Sequence, residues 1–322
     1  MVKIHEKFMA RCLQLAENGK GTTYPNPMVG CVIVKNNSIL SEGWHHRAGE
    51  SHAEAQAINN IDVKDLAGAT LYVNLEPCNH VGRTAACAPL IVTSGIKKVV
   101  IGSLDTHHKV NGSGIEHLKK HGIEVVSNIL TQQCRSLNKR FFMFHEQHRP
   151  YVVLKWAETK NGLVAPLAKN QLCPVWISNG YARQHTHVLR SNEHAILVGH
   201  RTWALDSPKL SAYRWNENNP QIVVLGGEKP KKQEVIWLSS EQYKTAEQVL
   251  AKLYELELQS VLVEGGPETL QRFIDANLWD ECFVYKSQDH WNDGLLGPKL
   301  NKSLTPIATF QDNVLYHGKN QL

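Results

Sequence analysis

The chain has 322 residues, of which 42% are hydrophobic and 20% charged, and it carries a formal net charge of +5. This length is enough for two domains with separate cores, and no apolar run approaches the roughly 20 residues that a membrane-spanning helix needs. The charge is modest and forms no stripe of lysine and arginine, so it favours a phosphorylated small-molecule substrate slightly and argues against a nucleic-acid partner.

The cysteines and the N-terminal residues indicate the compartment. Seven cysteines are scattered over the whole chain, unlike the dense and even set of a small secreted domain. Residues 1–8 mix charges with apolar side chains and offer no hydrophobic region of a secretory signal. We therefore expect a cytoplasmic protein with reduced thiols.

The first half of the chain alternates helical and strand patterns. An amphipathic helix is predicted over residues 4–18, followed by a strand hairpin at 29–34 and 38–43. The later elements are helices at 53–61, 90–94 and 115–121 and strands at 70–75, 98–102 and 123–126. This alternation predicts an α/β layer with largely parallel strands.

A second α/β pattern begins after Pro150. Its strands are predicted at 151–156, 195–199, 221–225 and 260–266, and its helices at about 180–190, 245–257 and 268–276. The sequence therefore predicts two α/β domains, residues 1–149 and 150–322.

Four residues of the first domain have the types and the order of a zinc deaminase site: His52, Glu54, Cys78 and Cys87. Each of them alone would be read as an ordinary packed or surface residue. Zinc with three protein ligands and an open fourth position lowers the pKa of its bound water from 15.7 to about 7. We predict that His52, Cys78 and Cys87 are the ligands. Glu54 would then carry the proton from the water to the leaving amine.

Residues 79–86 separate the two predicted cysteine ligands, although such cysteines are usually only three positions apart. His80 and Arg83 lie in this inserted loop. We expect them beside the metal, where they can bind an anionic or carbonyl-rich substrate; the alternative is a solvated loop.

The second domain contains a glycine-rich turn, Glu264-Gly265-Gly266-Pro267, between a predicted strand and a predicted helix. Such turns bind phosphate through backbone N–H groups. A tight turn that merely needs the conformational freedom of glycine is the alternative.

Three N-terminal motifs and the glycine-rich turn together resemble the bifunctional riboflavin-biosynthesis deaminase/reductase family. They are Pro-Asn-Pro-x-Val-Gly at 25–30, His-Ala-Glu at 52–54, Leu-Glu-Pro-Cys-x-His-x-Gly-Arg-Thr at 75–84, and Val-Glu-Gly-Gly-Pro-x-x-Leu at 263–270. The resemblance implies a cytidine-deaminase-like α/β/α domain followed by a dihydrofolate-reductase-like α/β domain. It also implies zinc-dependent deamination of 2,5-diamino-6-(5-phosphoribosylamino)pyrimidin-4-one, then NADPH-dependent reduction of the ribosyl group to ribityl.

The resemblance also implies the roles of individual residues. In the deaminase, the substrate would contact Asn26, His80 and Arg83. In the reductase, NADPH would contact Glu158, Trp176, Thr202, Asp206, Gly266, Pro267, Glu268, Thr269 and Leu270. The reductase substrate would contact Lys155, Arg190, Leu210, Arg214 and Glu264. Members of this family associate through their reductase domains, so we expect a homo-oligomer.

Two of the departures of the second domain from the family pattern remove a carboxylate. Asn161 stands where the family usually has an acid, and Gly226-Gly227 follows the strand at 221–225 where a carboxylate is usual. These changes leave open a second hypothesis, in which the C-terminal domain is structural only. A third hypothesis, a nucleic-acid deaminase, would need a basic groove and stacking aromatic side chains around the site.

Overall fold

The computed structural model describes residues 2–80, 85–106, 111–167, 175–213, 215, 218–229 and 234–320. It divides into two compact units, Met1–Gln147 and His148–Leu322. Over the described ranges, no helix combines the length and the apolar character that crossing a bilayer requires.

The first unit alternates helices and strands as the sequence predicts. In chain order its elements are α1 (Val2–Glu17), β1 (Gly30–Lys35), β2 (Ser38–Trp44), α2 (Ala53–Asn59), α3 (Val63–Leu66), β3 (Thr70–Leu75), α4 (Cys87–Thr93), β4 (Lys98–Ser103), α5 (Ser113–Lys120), β5 (Glu124–Val126), α6 (Thr131–Leu137) and α7 (Lys139–Gln147).

The strands of this unit form one mixed sheet in the order β2-β1-β3-β4-β5. Strand β1 is antiparallel to both β2 and β3, whereas β3, β4 and β5 are parallel. The β1–β2 pairing is the predicted hairpin, whereas the antiparallel β1–β3 pairing differs from the largely parallel arrangement that the alternation predicts. The two-residue turn Asn36-Asn37, with φ angles of 51° and 61°, closes β1 and β2 into a hairpin, which can only be antiparallel.

Alternating side chains of β1 supply two cores, one on each face of the sheet. Val32 and Val34 pack against α1, whereas Cys31 and Ile33 pack with residues of α2 and α4. A side chain at Gly30 would clash with the Cys12 carbonyl, so the glycine allows α1 to approach closely. The result is the predicted α/β/α arrangement.

The second unit is built around a larger sheet. Its elements are β6 (Tyr151–Glu158), β7 (Leu163–Ala165), α8 (Gly180–Asn192), β8 (Ala195–Gly199), α9 (His200–Asp206), β9 (Gln221–Leu225), β10 (Val235–Leu238), α10 (Ala246–Glu255), β11 (Ser260–Glu264), α11 (Pro267–Asp275), β12 (Glu281–Lys286), β13 (Leu295–Leu296), β14 (Thr305–Phe310) and β15 (Asn313–Lys319).

The order in this sheet is β10-β9-β8-β11-β6-β12-β15-β14. The pairings from β10 to β12 are parallel, and the hairpin β14–β15 joins β12 in antiparallel orientation. The predicted strand at 260–266 ends earlier, at Glu264, because Gly266 is already the N-cap of α11. The parallel strands place the ends of β6, β8, β9 and β11 at one edge of the sheet.

A buried ion pair fastens the start of β6 to the segment before β12. The Arg149 guanidinium donates to both Asp280 oxygens at 2.8 and 2.7 Å, and the Val152 N–H donates to Asp280 Oδ2 at 2.7 Å. Both charged side chains are nearly inaccessible to solvent. Removing one partner of such a pair leaves the other charge buried and uncompensated.

We predict that Asp280→Ala lowers the free energy of unfolding of the second unit by about 3–5 kcal/mol. Tryptophan fluorescence in urea measures this, because seven of the eight tryptophans lie after residue 150. Glu255→Ala, which removes an exposed ion pair with Lys252, should cost less than about 1 kcal/mol. Equal losses of unfolding free energy in the two variants would contradict a stabilising role for the buried pair of Arg149 and Asp280.

Candidate metal centre and reductase site

The three predicted metal ligands lie at the junctions between loops and helices of the first unit. His52 is the N-cap residue of α2, Cys78 lies three residues after β3, and Cys87 is the first residue of α4. The backbone N–H of Cys87 donates to Cys78 Sγ at 3.4 Å, and the Ala88 N–H donates to the Cys78 carbonyl at 3.0 Å. The start of α4 therefore fixes both sulfur atoms.

The geometry of these three residues fits a zinc ion. One donor atom of each lies within 4.8 Å of the other two, and His52 Nδ1 is 3.3 Å from Cys87 Sγ and 3.6 Å from Cys78 Sγ. Two ligand atoms that lie 2.0–2.3 Å from a tetrahedral zinc are about 3.5 Å apart. One nitrogen and two sulfur donors are a common zinc set, and they leave a fourth position open.

The pKa values around this centre suit metal binding and proton transfer. A hydrogen bond from the Cys87 thiol, together with His52, lowers the pKa of Cys78 to about 4, so a thiolate is available. Glu54 lies in the first turn of α2 and is only 3% exposed. Burial raises the pKa of Glu54, which makes its carboxyl group a better proton carrier near neutral pH.

A buried histidine that the sequence analysis does not single out connects Asn26 to the metal ligands. The His45 ring packs edge-on against the His52 ring, with centroids 5.3 Å apart. Since His45 Nδ1 lies 3.3 Å from the Ser51 carbonyl, which can only accept, Nε2 is the acceptor for Asn26 Nδ2 at 3.0 Å. Burial lowers the pKa of His45, which favours this neutral form.

Glu76 is a second residue that the sequence analysis does not assign. Its buried carboxylate accepts the backbone N–H groups of Asp105 and Gly112, which lie between β4 and α5, and of Gly114 and Ile115 in the first turn of α5, at 3.0–3.3 Å. Glu76 thus holds the start of α5 against the loop that carries Cys78. His80 is half-buried in the same loop. Arg83 lies outside the described residues.

In the second unit, three charged side chains meet where β11 ends beside β6. Lys155 and Glu264 are register partners on these neighbouring strands, and Lys155 Nζ lies 3.1 Å from Glu264 Oε1. Arg190 of α8 bonds Glu264 Oε2 through Nε at 3.1 Å and also through Nη2. Its Nη1 donates to the Ser211 carbonyl at 3.2 Å.

Glu264 is the negative centre of this cluster. Burial would raise the pKa of Glu264, but Arg190 and Lys155 outweigh burial and lower it to about 2. Burial lowers the pKa of Lys155. The predicted contact between Arg190 and a substrate phosphate stays a prediction, because Glu264 and Ser211 take three of the five guanidinium N–H groups and leave two for a further acceptor.

The glycine-rich turn lies beside this cluster. Gly266 is the N-cap of α11, Pro267 begins the helix, and the Gly266 N–H donates to Thr202 Oγ1 at 3.0 Å. A Cβ at Gly265 would lie 3.3 Å from the backbone nitrogen of Gly199. A turn without side chains at the start of a helix leaves room for a pyrophosphate, so these residues fit NADPH.

Two of the predicted contacts fall on buried side chains. Leu270 packs in the core of the second unit, and its N–H donates to the Gly266 carbonyl at 3.3 Å. Leu210 is 2% exposed and has a φ of 53°. The contacts of Leu270 with NADPH and of Leu210 with substrate stay predictions.

Two further predicted cofactor residues, Trp176 and Glu158, lie elsewhere in the second unit. Trp176 is 62% exposed and lies 4.7 Å from the Arg183 guanidinium. Glu158, at the end of β6, accepts from Trp156 Nε1 at 2.7 Å and pairs with Lys286 at 2.9 Å.

Helices α9 and α11 carry the rest of the predicted cofactor residues. Asp206 ends α9, while Glu268 and Thr269 lie in the first turn of α11. Arg214 lies outside the described residues.

Comparison with known proteins agrees with both halves of this picture. Residues 2–103 match the cytidine and deoxycytidylate deaminase zinc-binding region, and residues 150–287 match the RibD C-terminal domain. The riboflavin biosynthesis protein RibD of Aquifex aeolicus is 35% identical, and the alignment covers 91% of this chain and 89% of that protein. The chain belongs to the RibD family.

Further RibD relatives agree over nearly the whole length. The Escherichia coli RibD protein is 32% identical over 87% of this chain and 86% of its own. A crystal structure of the Thermotoga maritima diaminohydroxyphosphoribosylaminopyrimidine deaminase/5-amino-6-(5-phosphoribosylamino)uracil reductase superposes with a TM-score of 0.88 at 32% identity, covering 99% of both chains. Both RibD domains are present, and their cofactors are zinc and NADPH.

We predict about one zinc ion per chain, bound by the one-nitrogen, two-sulfur set. Cys87→Ser should lose most of this zinc in elemental analysis, because two remaining ligands bind the ion weakly. Cys134→Ala, which alters a buried cysteine of the same unit outside the cluster, should retain it. Full zinc content in Cys87→Ser would place the metal elsewhere.

Proposed function

We propose that the chain deaminates the phosphoribosylated diaminopyrimidine of riboflavin synthesis in its first unit and reduces the ribosyl group of the product in its second. The observation that carries this proposal is the pair of separate clusters. His52, Cys78 and Cys87 surround a zinc-sized site beside buried Glu54, whereas Lys155 and Glu264 meet next to the glycine-rich turn at the start of α11. Each cluster suits one of the two reactions.

In the deamination, a zinc ion on the three ligands would supply an activated water molecule. Glu54 takes up a proton at its carboxylate and gives it to the amino group that leaves, and its raised pKa makes both transfers accessible. Asn26 and His45 form a fixed polar pair beside His52 and would orient the pyrimidine ring. A substrate held in one orientation keeps its amino-bearing carbon facing the activated water, which lowers the entropic cost of the reaction.

In the reduction, NADPH supplies the hydride, and the protein supplies binding and orientation. The Gly265-Gly266 turn would hold the pyrophosphate. Lys155, fixed by Glu264 at 3.1 Å, would hydrogen-bond the ribosyl hydroxyls and stabilise negative charge there. Arg190 keeps Glu264 ionised and in place, so it acts on Lys155 through Glu264.

The buried charges argue against a C-terminal unit that is structural only. Taking three charged groups out of water is costly, and an apolar core of similar volume is often at least as stable. A cluster such as Lys155, Glu264 and Arg190 is therefore easier to explain by chemistry than by stability. The departures at Asn161 and Gly226 do not remove any member of it.

The cellular context and the assembly are inferred more indirectly. Six cysteines among the described residues are free thiols, which favours a reducing compartment, and we infer that the enzyme acts in the cytoplasm. A homo-oligomer formed through the reductase unit stays a prediction.

We predict that Glu54→Gln retains zinc and folding but lowers deamination at least about 100-fold, because the amide cannot carry the proton. The measurement is ammonia release from the diaminopyrimidine substrate. Glu50→Gln, an exposed carboxylate before α2, is the matched control and should remain active. If Glu54→Gln releases ammonia at the parent rate, the acid/base role belongs to another group.

We predict that Arg190→Ala and Glu264→Gln both raise the KM of the reductase about tenfold or more, while deamination continues. Both variants disturb the position of Lys155. If Arg190 instead bound the phosphate directly, Glu264→Gln would free the guanidinium, and KM would stay or fall.

Tryptophan fluorescence verifies folding, and Arg190→Lys, which can still pair with Glu264, should recover part of the loss. Loss of deamination in a folded Arg190→Ala variant would contradict two separate sites.

A further inference from the structure

Four neighbouring parallel strands of the second unit end at one edge, in the order β9-β8-β11-β6. Glycine ends one of them and directly follows two others: Gly199 is the last residue of β8, Gly226-Gly227 follows β9, and Gly265-Gly266 follows β11. Neighbouring strands are about 4.8 Å apart, so the four strand ends span about 14 Å. An extended dinucleotide can lie along these strand ends and contact backbone groups there, because the glycines have no side chains in the way.

The direction of the dinucleotide follows from the position of the charged cluster. Lys155 and Glu264 lie at β6 and β11, so the reacting nicotinamide belongs at that end. With the pyrophosphate on Gly265-Gly266, the adenosine then extends the other way, toward the ends of β8 and β9. The two side chains that follow β8 there are those of His200 and Arg201.

His200 lies directly over the turn after β9. A side chain at Gly227, whose φ is 61°, would clash with the His200 ring, so the glycine makes room for the imidazole. Arg201 is 78% exposed at its side chain, and its Nη1 lies 2.8 Å from Glu268 Oε1 on the first turn of α11. Two basic side chains thus flank the place where the adenosine would lie.

The end of β9 carries glycines where the family resemblance leads one to expect a carboxylate. In Rossmann-type dinucleotide sites, an arginine accommodates the 2′-phosphate of NADPH. The guanidinium of Arg201 can bond two of its oxygens at once.

We propose that His200 and Arg201 bind the 2′-phosphate of NADPH and are the residues that select NADPH over NADH. This inference rests on the proposed reductase function. In the cofactor-free protein Arg201 pairs with Glu268 at 2.8 Å. When NADPH binds, an ion pair between Arg201 and the 2′-phosphate would replace the pair with Glu268.

Calorimetric titration of the full-length, zinc-loaded protein with NADP⁺ and NAD⁺ tests the proposal, because these ligands differ only in the 2′-phosphate. The parent protein should bind NADP⁺ at least about tenfold more tightly, the effect of one charge-assisted hydrogen-bond pair. Arg201→Ala should weaken NADP⁺ binding about tenfold and leave NAD⁺ binding unchanged, and His200→Gln should act in the same direction. Glu268→Gln should tighten NADP⁺ binding.

Lys252→Ala is the matched control, since it removes another exposed cation with a carboxylate partner in the same unit. Equal affinities of the parent for NADP⁺ and NAD⁺, or equal loss of both in Arg201→Ala, would overturn the selectivity proposal and leave the reductase function standing. If the parent binds neither nucleotide, both this inference and the reductase function fail.

Discussion

Both sites depend on one constraint, the exact place where buried parallel strands end. Beyond the carboxyl end of a parallel strand, the backbone N–H and C=O groups no longer have hydrogen-bond partners in the sheet and need others. The loops at these strand ends can also carry polar side chains that the buried interior of the sheet does not accommodate. In the first unit, β3 ends at Leu75, and Glu76 and Cys78 follow within three residues. In the second, Glu264 is the last residue of β11, and Gly265-Gly266 follow directly.

The two units use buried charge in different ways. In the first, burial raises the pKa of Glu54, so the carboxyl group exchanges protons readily. In the second, two cations hold the pKa of Glu264 at about 2, so it stays ionised and serves as a fixed anchor. The same residue type is thus a proton carrier at one site and a positioning group at the other, and the neighbouring charges decide which.

Much of the fold and of the metal centre could be predicted from the sequence because the signals are local. The strands at 70–75 and 98–102 are short apolar runs, and zinc ligands must be histidine and cysteine at characteristic positions. The roles of His45 and Glu76 depend on long-range contacts, such as that between Glu76 and Ile115 across 39 residues. The pairing of Arg190 with Glu264 spans 74 residues and likewise leaves no sequence pattern. The C-terminal hairpin β14–β15 was missed because β14 is largely exposed and lacks a clear alternation.

The most direct test of the account is the stoichiometry of the two reactions on one purified chain. The diaminopyrimidine substrate is supplied with excess NADPH, and released ammonia and oxidised NADPH are both measured to completion. The account predicts one ammonia and one NADP⁺ for each substrate molecule, with ammonia appearing first. Stoichiometric ammonia without NADPH oxidation, from protein that also fails to oxidise NADPH with the deaminated intermediate, would contradict it and leave the second unit without the proposed chemistry.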